Sequence, residues 1–271
     1  MTAVIGIAIF ALLALQMLEM GRSSLALIQA RSDRARLLAA ADAGIAMAVH
    51  GLAVRDPARR IDADGVAHID YFDGVLLAVT VEDDQGKIAL NRVGPDVERR
   101  LFSAAGIDGA RLDEIVDSLE DWKDYDDTQR PHGAERQYYA ALGIRPRNDK
   151  IRTLEELAVL PGMDDALLAR IAPAVTLFAN RLGNFEAGVS SSPLALQAMS
   201  GTGSAYEVEK RSALQAGQRP ALDIVPARSL AERFYTVKVE ASLPDGHRAS
   251  RSVVVQFNGN PANPFWIRTA R

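Results

Sequence analysis

The stretch AVIGIAIFALLALQML, from Ala3 to Leu18, is apolar throughout except for Gln16. It sits at the short limit of a membrane-spanning helix, which takes roughly 17 to 25 residues. No Lys or Arg precedes it, so an uncleaved anchor is expected rather than a secretory signal. A buried core helix would stop at a cap, yet the first proline is Pro57 and the residues after Leu18 remain good helix formers. Leu38, Ile45, Val49 and Leu52 then recur at three-and-four spacing, which lines one face of a helix. One continuous helix is therefore predicted from the membrane to Ala53, with its second half packed on a sheet. Asp56-Pro57 ends it, because the residue before proline avoids the α region and proline has no amide to donate. Arg22, Arg31, Arg34 and Arg36 read as its solvated face.

The rest of the chain must supply that sheet. VLLAVTV (Val75–Val81) is rich in β-formers, EDDQG supplies turn residues, and KIALN (Lys87–Asn91) alternates, which predicts a hairpin. FYTVKVEASL (Phe234–Leu243), Pro244-Asp245-Gly246 and RSVVVQF (Arg251–Phe257) predict a second one. Between them the texture is helical. DVERRLFSAAG and ARLDEIVDSLEDW have helical spacing with glycine punctuation, and Thr153 with Glu156 makes a capping box. Leu160-Pro161-Gly162 breaks that helix before Asp164 restarts it. An all-helical insertion thus interrupts an α/β domain, and strands about 140 residues apart must join one sheet.

The predicted organisation is 1–20 for the anchor or filament-core helix, 21–92 for the first part of the α/β domain and 93–180 for the insertion. A linker follows at 181–230, with short helices and Pro193 at a helix first turn, and 231–271 carries the closing hairpin. A formal charge of −4 and a pI near 5.7, with no basic tail, give no field to hold nucleic acid. The chain has no cysteine, hence no disulfide framework, thiolate nucleophile or zinc-thiolate site. LPGMDDALLARI does have the look of a helix-hairpin-helix, the basis of an alternative reading as a membrane-anchored nucleic-acid binder. Asp164 and Asp165 follow its glycine turn and would repel phosphate.

The stretch DWKDYDDTQRPHGAERQYY, Asp121 to Tyr139, leaves three uses open. Asp117, Asp121, Asp124 and Glu135 could supply a catalytic carboxylate pair, but no phosphate loop, HExxH or GxSxG accompanies them, and His50, His68, His132 and His247 are scattered singly. Asp124, Asp126, Asp127 and Glu135 offer oxygen ligands alone, which suits Ca²⁺ or Mg²⁺ rather than zinc, without the spacing of an EF-hand. In the third reading Trp122, Tyr138 and Tyr139 bury their rings between helices while acids and arginines cap the turn.

The N-terminal helix, VEDDQGKIALN (Val81–Asn91), DSLEDWKDYDDTQRPHGAERQYY (Asp117–Tyr139) and TLEELAVLPGMDDALLARIAPAVTLF (Thr153–Phe178) occur in the order of one family. Together they resemble the K-type minor pseudopilins of bacterial type II secretion systems, over nearly the whole chain. The resemblance implies an α+β, pilin-like fold: a long N-terminal helix on a small antiparallel sheet, with a large helical domain inserted between strands. It implies a non-enzymatic role at the tip of a pseudopilus, with I-type and J-type minor pseudopilins and other secretion components as partners. It also implies a single pass through the bacterial inner membrane, a periplasmic globular part and calcium in the helical domain. No acid precedes Glu19, in keeping with a family that lacks the glutamate other pseudopilins carry near the start of the helix.

Overall fold

The structure, a computed structural model, describes residues 2–54, 56, 59–179, 185–200, 229–260 and 264–270. Helix α1 runs unbroken from Thr2 to Ala53, so the predicted rod is continuous through Leu18–Ser32. At about 1.5 Å per residue its 52 residues span roughly 78 Å. Leu12 and Met17 are exposed, while Leu37, Ala40, Ala41, Ile45, Ala48, Val49 and Leu52 are buried along one face. Leu38, expected on that face, lies at its margin, one position beyond Leu37. Leu27–Ala53 is apolar enough to cross a membrane by composition, with mean hydropathy 1.3, but half of it is buried. Its apolar character therefore belongs to packing. The anchor reading rests on Ala3–Leu18, whose helical course is described and most of whose side chains are not.

One sheet has the order β1 (Asp64–Phe72), β2 (Val75–Asp83), β5 (Phe234–Ser242), β6 (Arg248–Phe257), β7 (Phe265–Ala270). Val75–Val81 and the last hairpin therefore share a sheet, as expected of strands so far apart in the chain. β2 and β5, its central strands, are separated in sequence by the insertion. Asp73 and Gly74 join β1 to β2 with φ of 50° and 72°. Two successive positive φ values make the tight turn whose twist suits a hairpin, and Asp-Gly tolerates them. β7 pairs antiparallel with β6, Phe257 opposite Phe265, with an irregularity at Val254/Val255.

The predicted hairpin of Val75–Val81 with Lys87–Asn91 is not formed. β2 pairs with β1 and β5, while β3 (Ile88–Ala89) makes a parallel two-residue ladder with β4 (Val175–Thr176). EDDQG is thus an exit from the sheet rather than a hairpin turn. The helix that restarts after Asp164 ends at Ile171, and a 3-10 turn at Ala172–Ala174 leads into β4.

The chain divides into two compact units. The first holds Met1–Met47, His68–Val79 and Lys238–Arg251. Here a Cβ added at Gly44 would stand 2.9 Å from Val239 and 3.3 Å from Leu77, so the missing side chain lets α1 lie close on β5 and β2. The second holds Ala48–Ala67, Thr80–Val237 and Ser252–Arg271. Its helices are α2 (Pro95–Ala104), α3 (Gly109–Lys123), α4 (Arg136–Ala141), α5 (Asp165–Ile171) and α6 (Pro193–Ser200). They close over Ile88, Leu101, Phe102, Ile115, Leu119, Trp122, Tyr139, Leu157 and Ile171, all buried. The capping box forms, with Glu156 accepting the Thr153 amide at 3.1 Å, though the turn it starts at Leu154–Val159 is 3-10 rather than α. α6 begins at Pro193, as read from the sequence, and the rest of the expected linker, 201–228, lies outside the described residues.

Candidate functional site

Two clusters of buried charge lie in the second unit. The first surrounds Lys87, at the exit from β2. Its ammonium lies 2.9 Å from both Glu82 and Asp84 and donates to the Thr236 hydroxyl at 2.8 Å. Asp84 also accepts from the hydroxyls of Thr176, at 2.7 Å, and Thr236, at 2.6 Å. Beside it Arg233 pairs with Asp83 and donates to both oxygens of Glu186, at 2.6 and 2.8 Å. Burial alone would lower the Lys87 pKa, but Asp84 and Glu82 outweigh it and hold the group above its usual value. Each charge faces an opposite one, and the network ties the end of β2 to β4 and the start of β5. The sequence reads EDDQG as a hairpin turn and Lys87 as the start of the next strand, because acids, Gln and Gly are turn formers. The missed signal is Gly86, where a Cβ would come within 2.4 Å of the Ser190 Cα and 2.6 Å of its amide nitrogen. It is glycine because two backbones touch.

The second cluster is the acidic stretch. α3 presents Asp117, Glu120 and Asp121 at positions three and four apart, hence on one face. The loop after it folds back over that face. The Arg130 amide donates to both oxygens of Asp121, at 3.3 and 3.2 Å, and its guanidinium lies 3.3 Å from Asp121 and 3.6 Å from Asp124. Asp117 accepts the His132 amide at 3.0 Å. A Cβ on Gly133 would stand 2.0 Å from Asp121 Oδ2, so the Pro-His-Gly turn gives the carboxylate its room. Trp122 and Tyr139 pack edge to face at 5.0 Å, both buried, as expected. Tyr138, expected to be buried with them, is 44% exposed and offers only its edge to Tyr139.

Asp121 is fully buried and Glu135 is 5% exposed. Neither Glu135 oxygen, nor Asp124 Oδ1, nor the Tyr139 hydroxyl has a hydrogen-bond partner of ordinary geometry. Burial, then the charges of Asp121 and Asp124, push the Glu135 carboxyl up to about 7, with the Arg136 amide offsetting only part of the rise. Burial likewise raises Asp121 to about 6 against the opposition of Arg130, and burial with Asp126 nearby raises Asp124. Here acids outnumber the one guanidinium that faces them.

Of the four residues read as cation ligands, the structure puts Asp124 and Glu135 in this cluster. Asp126 spends its carboxylate on Thr128, which holds its pKa below the usual range, and Asp127 accepts from Asn148 at 3.0 Å. No three of the four bring oxygens within 4.8 Å of one another, and neither do Asp121, Asp124 and Glu135. Asp121, read from the sequence only as a catalytic carboxylate, is the acid that Asp124 and Glu135 join. An oxygen-only set with unpartnered buried oxygens fits a hard divalent cation such as Ca²⁺. Bound there, the ion would supply the positive charge that burial makes each carboxylate lack.

The helix-hairpin-helix reading meets a specific obstacle. Asp164 caps α5, accepting the Leu167 amide at 2.7 Å, and Arg111 pairs with it at 2.6 Å and donates to the Gly162 carbonyl at 2.8 Å. An acid already stands where a phosphate would need free amides.

A long helix on an antiparallel sheet, with a run of helices inserted in the chain between the adjacent strands β2 and β5, defines the class by fold: α+β and pilin-like, with a helical insertion. Residues 77–180 match the family described as type II secretion system (T2SS), protein K. The chain is 38% identical over 88 residues to the putative type II secretion system protein K of Escherichia coli (strain K12), covering 30% of this chain and 27% of that one. It is 26% identical over 173 residues to type II secretion system protein K of Pectobacterium carotovorum subsp. carotovorum, covering 58% and 52%. With the relative from Dickeya chrysanthemi, matched over 22% of its length, the chain spans about a quarter to a half of these relatives. Its fold matches a chain in the crystal structure of the GspK-GspI-GspJ complex of enterotoxigenic Escherichia coli, with TM-score 0.63 and 16% identity, over 90% of this chain and 98% of that one.

Proposed function

We propose that this chain is the K-type minor pseudopilin of a type II secretion system, placed at the tip of the pseudopilus to initiate or cap filament assembly for export of folded proteins across the outer membrane. The observation that carries this reading is the pairing of the unbroken helix α1 with a protein K insertion between the central strands of one sheet. A helix apolar on every side is satisfied by lipid or by sister helices, so its extraction from the bilayer need not expose it to water. The start of α1 anchors the chain in the bacterial inner membrane with a single pass, and the globular part lies in the periplasm. Its partners are the I-type and J-type minor pseudopilins, in keeping with the complex that holds its structural neighbour. The role is one of docking, with no catalytic step. Calcium, held by Asp121, Asp124 and Glu135, keeps the loop after α3 closed.

The test is co-expression of the full chain with the I-type and J-type subunits of its own secretion system, purified in detergent with Ca²⁺ present. A complex containing all three is expected. Association of the I-type and J-type subunits with each other while this chain elutes alone would overturn the reading.

A further inference from the structure

His247 reads in the sequence as one of four scattered histidines. In the first unit it sits on the β5–β6 turn, two residues after Asp245, and both face Asp33 on α1. Its Nδ1 lies 3.4 Å from Asp245 and 3.7 Å from Asp33, and one ligand atom from each of the three lies within 4.8 Å of the others. The His247 amide occupies the remaining Asp245 oxygen, at 3.1 Å.

These separations are longer than an N–H···O hydrogen bond, which runs about 2.7 to 3.2 Å. They are close to the roughly 3.4 Å that separates ligands bound tetrahedrally at Zn²⁺ distances. Two of the nearby guanidiniums are engaged elsewhere. Arg36, one turn along α1 from Asp33, pairs with Asp73, and Arg251 on β6 pairs with Asp42. Among the described residues Asp33 and Asp245 have no ionic partner but His247. Two carboxylates and a neutral imidazole balance a divalent charge and leave room for water. One nitrogen among the oxygens selects a borderline transition metal ion over calcium.

We propose that Asp33, Asp245 and His247 form a binding site for a divalent transition metal ion of the Zn²⁺ class, which pins the β5–β6 turn to helix α1. The site differs in chemistry from the oxygen-only cluster and stands whether or not that cluster binds calcium.

The experiment titrates Zn²⁺ into the full chain in detergent micelles, with saturating Ca²⁺ present, by calorimetry and by thermal unfolding. One Zn²⁺ per chain and a raised Tm are expected. His247→Ala and Asp33→Asn should each weaken Zn²⁺ binding at least tenfold, since changes in the groups behind metal ligands already cost about 10- to 100-fold. The His247 side chain is exposed and that of Asp33 partly so, and neither belongs to the apolar core, so the variants should keep the wild-type circular dichroism spectrum. No Zn²⁺ heat in the wild type, or equal affinity in His247→Ala, would overturn the site. Wild-type affinity in Asp33→Asn would overturn the pinning to α1.

Discussion

The Lys87 joint and the acidic loop are both buried and both rich in acids, and they differ in one respect: only the first is balanced. Around Lys87 and Arg233 each carboxylate has its cation or hydroxyl in place. Around Glu135 a single guanidinium faces several acids, and carboxylate oxygens are left without partners. Balanced buried charge acts as a joint, costly to break and specific in geometry. Unbalanced buried charge is strained by its own repulsion and is relieved by a proton or a cation. The sign of a mutational effect should therefore reverse between the two regions.

The largest effect is expected at the joint. Lys87→Ala removes the ammonium that faces buried Glu82 and Asp84, which should cost about 3–5 kcal/mol in urea unfolding. Gly86→Ala drives a methyl into the Ser190 backbone and should cost about 1–3 kcal/mol by the same measurement. Glu135→Gln should have the opposite sign. With Ca²⁺ chelated at pH 8 it should stabilise the protein, on the order of 1 kcal/mol after solvent screening, while removing the response of Tm to Ca²⁺.

Titration sharpens the contrast further. Asp121 and Glu135 bind protons more tightly folded than unfolded, their carboxyls rising from 3.8 to about 6 and from 4.5 to about 7. Their contribution to stability is thus fully present below the unfolded values and is lost as pH rises through the folded ones. With Ca²⁺ chelated, Tm should fall by several degrees from about pH 4 to about pH 7. Saturating Ca²⁺ should flatten that decline. The smallest effect belongs to Asp126, whose carboxylate serves an exposed turn. Asp126→Asn should leave the urea-unfolding midpoint at the wild-type value and keep its calcium response.

Much of the fold was legible because it rests on local pattern. The three-and-four spacing of α1 and the alternation of β5 and β6 each bury a face that the sequence displays. The misses share a physical cause. β1 is an edge strand with Ile69, Tyr71 and Phe72 exposed, and β7 exposes Phe265, Trp266 and Ile267, so neither shows a clean inward face. The two residues each of β3 and β4 are too short for periodicity to register. EDDQG looks like a hairpin turn because the groups that make it a buried joint, Thr176, Glu186, Arg233 and Thr236, come from far along the chain. The acidic stretch was recognisable as a candidate site by composition. Which acids converge was not, since that depends on the loop folding back so that Arg130 and Gly133 meet Asp121.

The direct test is calcium calorimetry on the full chain in detergent at neutral pH, paired with the Tm measured before and after a chelator. The contrast between the two charge clusters predicts a heat of binding that Glu135→Gln abolishes and a Tm that drops on chelation. No heat and an unmoved Tm would contradict it.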